Sequence, residues 1–139
     1  MPSQPTGLEP FARRCIASGA ALMLAGVILG AFGTHLLDGR LTTRQFSSYQ
    51  TAVLYQLVHA TGLVLVGVVA QAAGPATRLR WSARLMLLGI ACFSGSIYLM
   101  TAGAPRWLGM VAPVGGLSFM ASWALLAWQA LRPAGSLSR

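Results

Sequence analysis

Apolar residues dominate this chain in four long runs, and the charged residues stand between the runs. In chain order the uncharged runs span residues 15–37, 45–77, 85–105 and 107–131, with His35 counted as neutral. A helix needs about 20 residues to cross the hydrocarbon layer of a bilayer, and each run meets that length. The pattern predicts an all-α membrane protein with four transmembrane helices. We expect these helices over about residues 15–35, 43–73, 84–103 and 107–131.

Residues that start or end helices lie between the runs. Thr42 followed by Gln45 fits a capping box, Gly74 ends the second helix, and Gly103 with Pro105 closes the third. These boundaries predict a single up-down bundle over residues 13–132, with flexible tails at residues 1–12 and 133–139. Because the second run exceeds one span, its start, residues 46–53, is predicted to lie at the membrane interface.

Small residues recur along the first run and interrupt the fourth. Steps of seven, four and three residues separate the glycines of the first run, so they share one helical face, and one pair forms a GxxxG motif. In the fourth run a proline and a glycine pair predict a kink with close packing. The alternative is a broken helix that exposes its backbone to a substrate. The predicted packing residues are Gly19, Gly26, Gly30, Gly33, Pro113, Gly115 and Gly116.

Charge is scarce and one-sided. Charged residues make up 9% of the chain and hydrophobic residues 55%, whereas globular domains carry about 25% charged residues. The ten basic residues are all arginines at the edges of apolar runs, which indicates membrane flanks and no nucleic-acid surface. Four crossings would place seven arginines on the side of the termini and three on the other. The positive-inside rule therefore predicts that both termini are cytoplasmic.

A secretory signal peptide is the competing interpretation of the first run. Arg13 and Arg14, the apolar stretch and residues 31–33, Ala-Phe-Gly, resemble its charged start, core and cleavage site. The apolar stretch is longer than the usual core of about 7–15 residues. A transmembrane helix is therefore favoured.

Polar side chains interrupt the apolar runs at a similar depth. Tyr55 and His59 are four residues apart and share a helical face, with Gln56 beside them. Counting 1.5 Å per residue places the polar groups of all four helices in the half of the bundle away from the termini. They could form a hydrogen-bonded cluster that ties the second helix to Ser96 or Tyr98. They could instead form a proton relay, a quinone headgroup site or another ligand contact. The predicted cluster comprises His35, Tyr55, Gln56, His59, Ser94, Ser96 and Tyr98.

No catalytic, cofactor or metal site is expected from the motifs. His35 and His59 differ by about 10 Å in depth, whereas two haem ligands must lie at one level, and zinc needs three or four ligands. Asp38 precedes a glycine and is interpreted as a turn residue. Cys15 and Cys92 belong to no paired motif and are expected to be small buried hydrophobes. GxSxG, Walker and HExxH motifs are absent from the sequence, so we expect no enzyme.

Four longer motifs carry a family resemblance. They are GAFGTHLL at 30–37, YQTAVLYQLVHATGLVLVG at 49–67, CFSGSIYLMTAG at 92–103 and APVGGLSFMASW at 112–123. In these motifs the chain resembles the YgdD-like family of small integral membrane proteins, a domain of unknown function with bacterial and mitochondrial members. The resemblance implies a four-helix inner-membrane protein without defined catalytic residues. Thr34 and Leu36 depart from the small residues, often Gly, expected around the first His.

These patterns favour an accessory or interaction subunit, packed through its glycine stripes against a second copy or a larger membrane complex. The alternative is a small-molecule or proton binder or transporter that uses the polar cluster around His59. A third possibility is a lipid-binding protein, suggested by arginines and tryptophans at the cytoplasmic edge. The expected location is the bacterial inner membrane, or the mitochondrial inner membrane in a eukaryote, with the lipid bilayer and other membrane proteins as partners.

Overall fold

The computed structural model describes residues 7–131, and its regular elements in that range are all helices. Each helix is long and apolar enough to cross a membrane. The predicted all-α fold with four transmembrane helices is therefore confirmed. The predicted tail at 133–139 and residues 1–6 of the N-terminal tail lie outside the described residues. The helices are α1 (Pro10–Leu37), α2 (Thr43–Ala73), α3 (Thr77–Thr101) and α4 (Arg106–Ala130).

The first helix begins at Pro10, five residues before its predicted start. The carboxylate of Glu9 accepts hydrogen bonds from the backbone amides of Phe11 and Ala12, both at 2.9 Å, and Pro10 suits the first helical turn. Ala12 is fully buried. The last residues of the predicted tail, 10–12, therefore belong to the bundle.

The third helix begins at Thr77, seven residues earlier than predicted. Its first turns hold Arg78 and Arg80, which the predicted start at residue 84 leaves outside the helix. The guanidinium carbon of Arg78 lies 4.9 Å from the ring centre of Trp128, and that of Arg80 lies 5.8 Å from the ring centre of Phe11. These cation–π contacts place the charges over aromatic rings. The apolar residues between the arginines can then pack in the core, and Leu79 is fully buried there.

Three of the four helices contain turns that are not α-helical. π turns occur at Gly33–Leu37 in α1 and Ile90–Ser94 in α3. The last helix opens with a 3₁₀ turn at Arg106–Met110, and its α-helical part is Ala112–Ala130 with Pro113 in the first turn. A proline there removes only an amide that has no helical partner. Pro113 therefore starts a helix, and the predicted kink at this residue is corrected.

The helices form two antiparallel pairs, α1 with α2 and α3 with α4, and α2 joins the pairs. Half of the most apolar window of α2 is buried, compared with 17% for α1, so α2 is the central helix. We call the end of the bundle with residues 38–42 and 102–105 the loop end. The opposite end, with residues 7–9 and 74–76, is the termini end.

The contact between α1 and α2 follows a seven-residue repeat. Buried residues of α2 recur in alternating steps of four and three, which is the pattern of a coiled coil. On α1 a small buried residue recurs every seven positions. The α2 series is Tyr49, Val53, Gln56, Ala60, Leu63, Gly67 and Ala70, and the α1 series is Ala12, Gly19, Gly26 and Gly33.

The α1 glycines let the two backbones approach closely. A Cβ at Gly19 would lie 2.8 Å from the backbone oxygen of Ala60, and one at Gly26 would lie 2.7 Å from a methyl carbon of Leu57. A Cβ at Gly33 would meet the ring of Tyr49. At Gly30 there is more space, because a Cβ would lie 3.3 Å from its nearest neighbour, a methyl carbon of Val53. The glycine stripe is thus used inside the chain, between α1 and α2.

Candidate functional site

The interior polar residues of α2 bond to both neighbouring helices. The Gln56 amide nitrogen donates to the backbone oxygen of Leu22 at 2.8 Å, and its oxygen accepts from the Tyr98 hydroxyl at 2.9 Å. One heptad away, the Tyr49 hydroxyl donates to the backbone oxygen of Leu29 at 2.6 Å. Gln56 is only 3% exposed. We call Tyr49, Gln56 and Tyr98 the interior network, and it ties α1, α2 and α3 together.

The two predicted serines of α3 behave differently. The Ser94 hydroxyl donates to the backbone oxygen of Ala52 in α2 at 2.8 Å. The Ser96 hydroxyl donates to the backbone oxygen of Phe93 in its own helix. The link from α2 to α3 is therefore made by Tyr98 and Ser94, and Ser96 does not take part.

His59 points away from the interior network. Its Nδ1 lies 2.7 Å from the backbone oxygen of Tyr55. A carbonyl oxygen only accepts, so this contact assigns the proton to Nδ1 and leaves Nε2 of the neutral ring as an acceptor. The imidazole stacks on Phe119 with ring centres 3.4 Å apart and planes 16° from parallel. Among the described residues, His59 thus contributes no hydrogen bond between helices.

A groove of about 690 Å³ opens beside His59 on the lipid-facing side of α2, α3 and α4. His59 is the seventeenth of the 31 residues of α2, so the groove lies near the middle of the bundle. Exposed apolar side chains flank it, as expected for a surface that faces lipid. This His59 groove is lined by Leu54, Tyr55, Val58, His59, Phe93, Gly116, Phe119, Met120 and Trp123.

Aromatic rings form the walls of the His59 groove. Tyr55 stacks on Phe93 with ring centres 4.7 Å apart, and Trp123 lies 6.1 Å from the His59 ring. Tyr55 is 39% exposed. The site therefore combines apolar flat surfaces with one buried imidazole. Apolar and aromatic walls with a few polar groups are typical of small-molecule sites.

The two glycines of α4 have separate roles. A Cβ at Gly115 would lie 2.7 Å from the Cβ of Phe93 and 2.9 Å from the backbone oxygen of Gly89, so Gly115 packs against α3. A Cβ at Gly116 would meet nothing within 4 Å. Gly116 lines the His59 groove. Its predicted packing role is therefore corrected, because it faces open space.

Two other predicted features lie apart from the groove. His35 is exposed in the π turn at the loop end and does not join the other cluster residues. Both cysteines are free; Cys15 is buried as expected, while Cys92 is only half-buried. Within residues 7–131, no group of three or more side chains that could hold a metal ion is found.

A buried serine pair near the termini end was not predicted from the sequence. The Ser82 hydroxyl donates to the Ser122 backbone oxygen at 3.0 Å, and the Ser122 hydroxyl donates to the Ser82 backbone oxygen at 2.8 Å. Both residues are fully buried. Polar contacts are therefore not confined to one half of the bundle. The seven-residue spacing of Ser82, Gly89 and Ser96 was the available signal.

Comparison with known proteins agrees with the membrane architecture. A family model described as "Protein of unknown function (DUF423)" matches residues 29–116. The UPF0382 membrane protein SH2409 of Staphylococcus haemolyticus is 38% identical over 111 residues, which cover 80% of this chain and 89% of the relative. YwdK of Bacillus subtilis, a UPF0382 membrane protein, is 36% identical over 120 residues, or 84% of this chain and 95% of the relative.

The inner membrane is named for a third relative. The UPF0382 inner membrane protein YgdD of Escherichia coli K12 is 36% identical over 106 residues, which cover 76% of this chain and 80% of the relative. No solved structure matches the chain. Together with the four apolar helices, these relatives confirm the predicted YgdD-like resemblance and the predicted multi-pass location in the bacterial inner membrane.

Proposed function

The chain belongs to the DUF423 family, and we propose that this inner-membrane protein binds a small amphipathic ring compound that carries a hydroxyl group. The observation behind the proposal is the His59 groove, in which a buried imidazole lies among aromatic rings. The ligand would enter from the bilayer, because the flanks of the groove are exposed apolar side chains.

The chemistry of His59 selects a hydrogen-bond donor. Since Nδ1 is bonded to the backbone oxygen of Tyr55, Nε2 offers a lone pair. A polar atom in apolar surroundings gains from a partner, and a ligand hydroxyl would supply one. The stacked rings of Tyr55 and Phe93 offer flat faces to the ring of the ligand. The groove volume of about 690 Å³ is in the usual range for small-molecule sites.

We propose binding without chemical turnover. The titratable side chains in the groove lining are His59 and Tyr55. Within the described part of the chain, the His59 ring bonds to the backbone of its own helix, and no carboxylate or other side chain there orients the imidazole as a general base. Holding or carrying a lipophilic molecule is the function that this arrangement supports.

A pair of ring compounds that differ in one donor tests the proposal. The protein, in lipid nanodiscs, is titrated with 1-naphthol and with 1-methoxynaphthalene, which has the same ring and no hydroxyl donor. Binding is read from the fluorescence of Trp123 after the other three tryptophans are replaced by Phe. We expect 1-naphthol to bind about fivefold more tightly, as one net hydrogen bond of about 1 kcal/mol would give. In His59→Phe the preference should disappear while both compounds still bind.

Gly116 provides a second variant, which fills the groove. Because a Cβ there meets nothing within 4 Å, Gly116→Leu should occupy the groove and block both compounds without disturbing the fold. His35→Ala, outside the groove, should bind like the unsubstituted protein. Equal affinity for the two compounds, or binding unchanged by Gly116→Leu, would contradict the proposal.

An interaction subunit is a second proposal. The predicted glycine stripe no longer supports it, because these glycines pack between α1 and α2. What supports it now is the outer face of α1, where Leu24, Val27 and Ile28 are 59–63% exposed and α1 packs chiefly on α2. A stoichiometric partner or second copy should then be recovered from native membranes in mild detergent. A partnerless monomer would contradict this second proposal.

A further inference from the structure

The loop end holds a polar cavity that the His59 groove does not include. It has a volume of about 530 Å³ and lies between the start of α2 and the end of α3. Two arginines reach it from different parts of the chain, Arg44 from the first turn of α2 and Arg106 from the start of α4. Among residues 7–131, no carboxylate contributes to its lining. The cavity is therefore a concentration of positive charge.

Three arginines of the termini end lie in a different environment. Arg78, Arg80 and Arg84 are positioned over aromatic rings, at 4.9, 5.8 and 5.1 Å from the ring centres. They belong to the basic and aromatic edge that suggested lipid binding from the sequence. Arg44 and Arg106 instead flank open space. Arg44 and Arg106 thus have space between them in which an anion could bind.

The other side chains of the cavity fit a phosphate ester. The Gln45 side-chain oxygen accepts from the backbone and hydroxyl of Thr42, so its amide nitrogen remains as a further donor. Ile97 and Met100 form an apolar part of the wall, in the last turns of a helix that is apolar enough to span the membrane. Charged donors thus lie next to an apolar surface at the membrane boundary.

We propose that this cavity binds the phosphate group of an anionic phospholipid. Two guanidinium groups match the charge and geometry of a phosphate, and the apolar wall would contact the start of an acyl chain. A net anionic lipid is favoured over a zwitterionic one, because the lining that the structure describes holds two arginines and no carboxylate to pair with a cationic headgroup. The inference is independent of the His59 groove.

Native mass spectrometry of the full chain in mild detergent tests the inference. The protein is titrated with phosphatidylglycerol, phosphatidylcholine or inorganic phosphate. We expect phosphatidylglycerol to bind more tightly than phosphatidylcholine. Arg44→Gln and Arg106→Gln should each weaken phosphatidylglycerol binding about tenfold, since each loses charge-assisted hydrogen bonds.

Arg40→Gln is the matched control. It removes the same charge from the loop between α1 and α2 but does not line the cavity, so it should leave the affinity within about twofold. An equal loss in Arg40→Gln would show a diffuse charge effect and overturn the inference. Displacement of the lipid by inorganic phosphate at equal concentration would also overturn it, in favour of a free anion. Thermal unfolding of each variant verifies that the fold is retained.

Discussion

Two buried polar residues on different sides of α2 differ in their hydrogen bonds. Gln56 uses both polar atoms of its side chain, one toward α1 and one toward α3. His59, three residues later, bonds to the backbone of its own helix and lines a groove. Both are almost fully buried, at 3% and 5% exposure. Burial alone therefore does not distinguish a polar residue that holds helices together from one that could bind a ligand. The distinguishing features are whether its polar atoms have partners and whether a groove adjoins it.

The difference has an energetic basis. Hydrogen bonds between membrane helices hold those helices together, at about 0.6 kcal/mol each on average. The interior network makes several such bonds and links three helices. The bond from His59 to Tyr55 stays within one helix and adds nothing between helices. The bundle would lose little if His59 were apolar, so stability alone gives no reason for an imidazole there.

The largest expected effect on stability comes from adding a leucine side chain in the contact between α1 and α2, compared with adding one in the His59 groove. In Gly19→Leu the new atoms would meet the backbone oxygen of Ala60 at 2.8 Å, and a backbone atom cannot move aside. We expect a loss of at least about 3 kcal/mol in the free energy of unfolding, since the two helices must separate. Unfolding by SDS titration, followed by circular dichroism, measures it.

Gly116→Leu is the control for this comparison. The groove has room for the side chain, and leucine favours a helix over glycine by roughly 0.5–1 kcal/mol. The free energy of unfolding should stay constant or rise slightly. Similar losses for the two substitutions would mean that the α1–α2 contact is no tighter than the groove.

An intermediate effect is expected when each polar residue of α2 is made apolar. Gln56→Met keeps the length of the side chain but removes two hydrogen bonds between helices. Its cost should be about 1–3 kcal/mol, because the Tyr98 hydroxyl is left without a partner. His59→Phe should cost less than about 1 kcal/mol, since the stacking on Phe119 is retained. The same SDS titration compares the two, and a larger loss for His59→Phe would reverse the assignment of roles.

The fold was accessible from the sequence because membrane spans are set by length and charge. Runs without charge predicted the four helices, and the capping box at Thr42 is present as expected. The starts of α1 and α3 were predicted too late. There the cap at Glu9 and the rings beneath the arginines allow polar residues to be helical. These aromatic partners, such as Trp128 for Arg78, lie far away in the chain, so the sequence near each helix start does not reveal them.

The site was only partly accessible for a similar reason. Spacing along one helix placed Gln56 and His59 together, yet the directions of their side chains differ, and only tertiary contacts show it. Phe119, on which His59 stacks, lies 60 positions later in the sequence. A Cβ added at Gly116 would meet nothing within 4 Å, whereas one at Gly115 would collide with Phe93 and Gly89. A glycine pair by itself cannot tell which member packs and which lines a cavity.

The smallest expected effect is that of Tyr55→Phe, which tests whether the groove works through rings or through hydroxyls. Tyr55 is 39% exposed and contacts the groove through its ring, stacked on Phe93. Removing its hydroxyl should change the free energy of unfolding by less than about 0.5 kcal/mol and leave the preference for 1-naphthol intact. Tyr98→Phe is the matched comparison, because it removes the bond to Gln56 and should cost about 1 kcal/mol. If Tyr55→Phe instead abolished the preference, the ligand hydroxyl would be held by Tyr55, and the acceptor role of His59 would be wrong. An unchanged preference, lost only in His59→Phe, would place recognition on the single imidazole nitrogen that the bundle itself leaves unused.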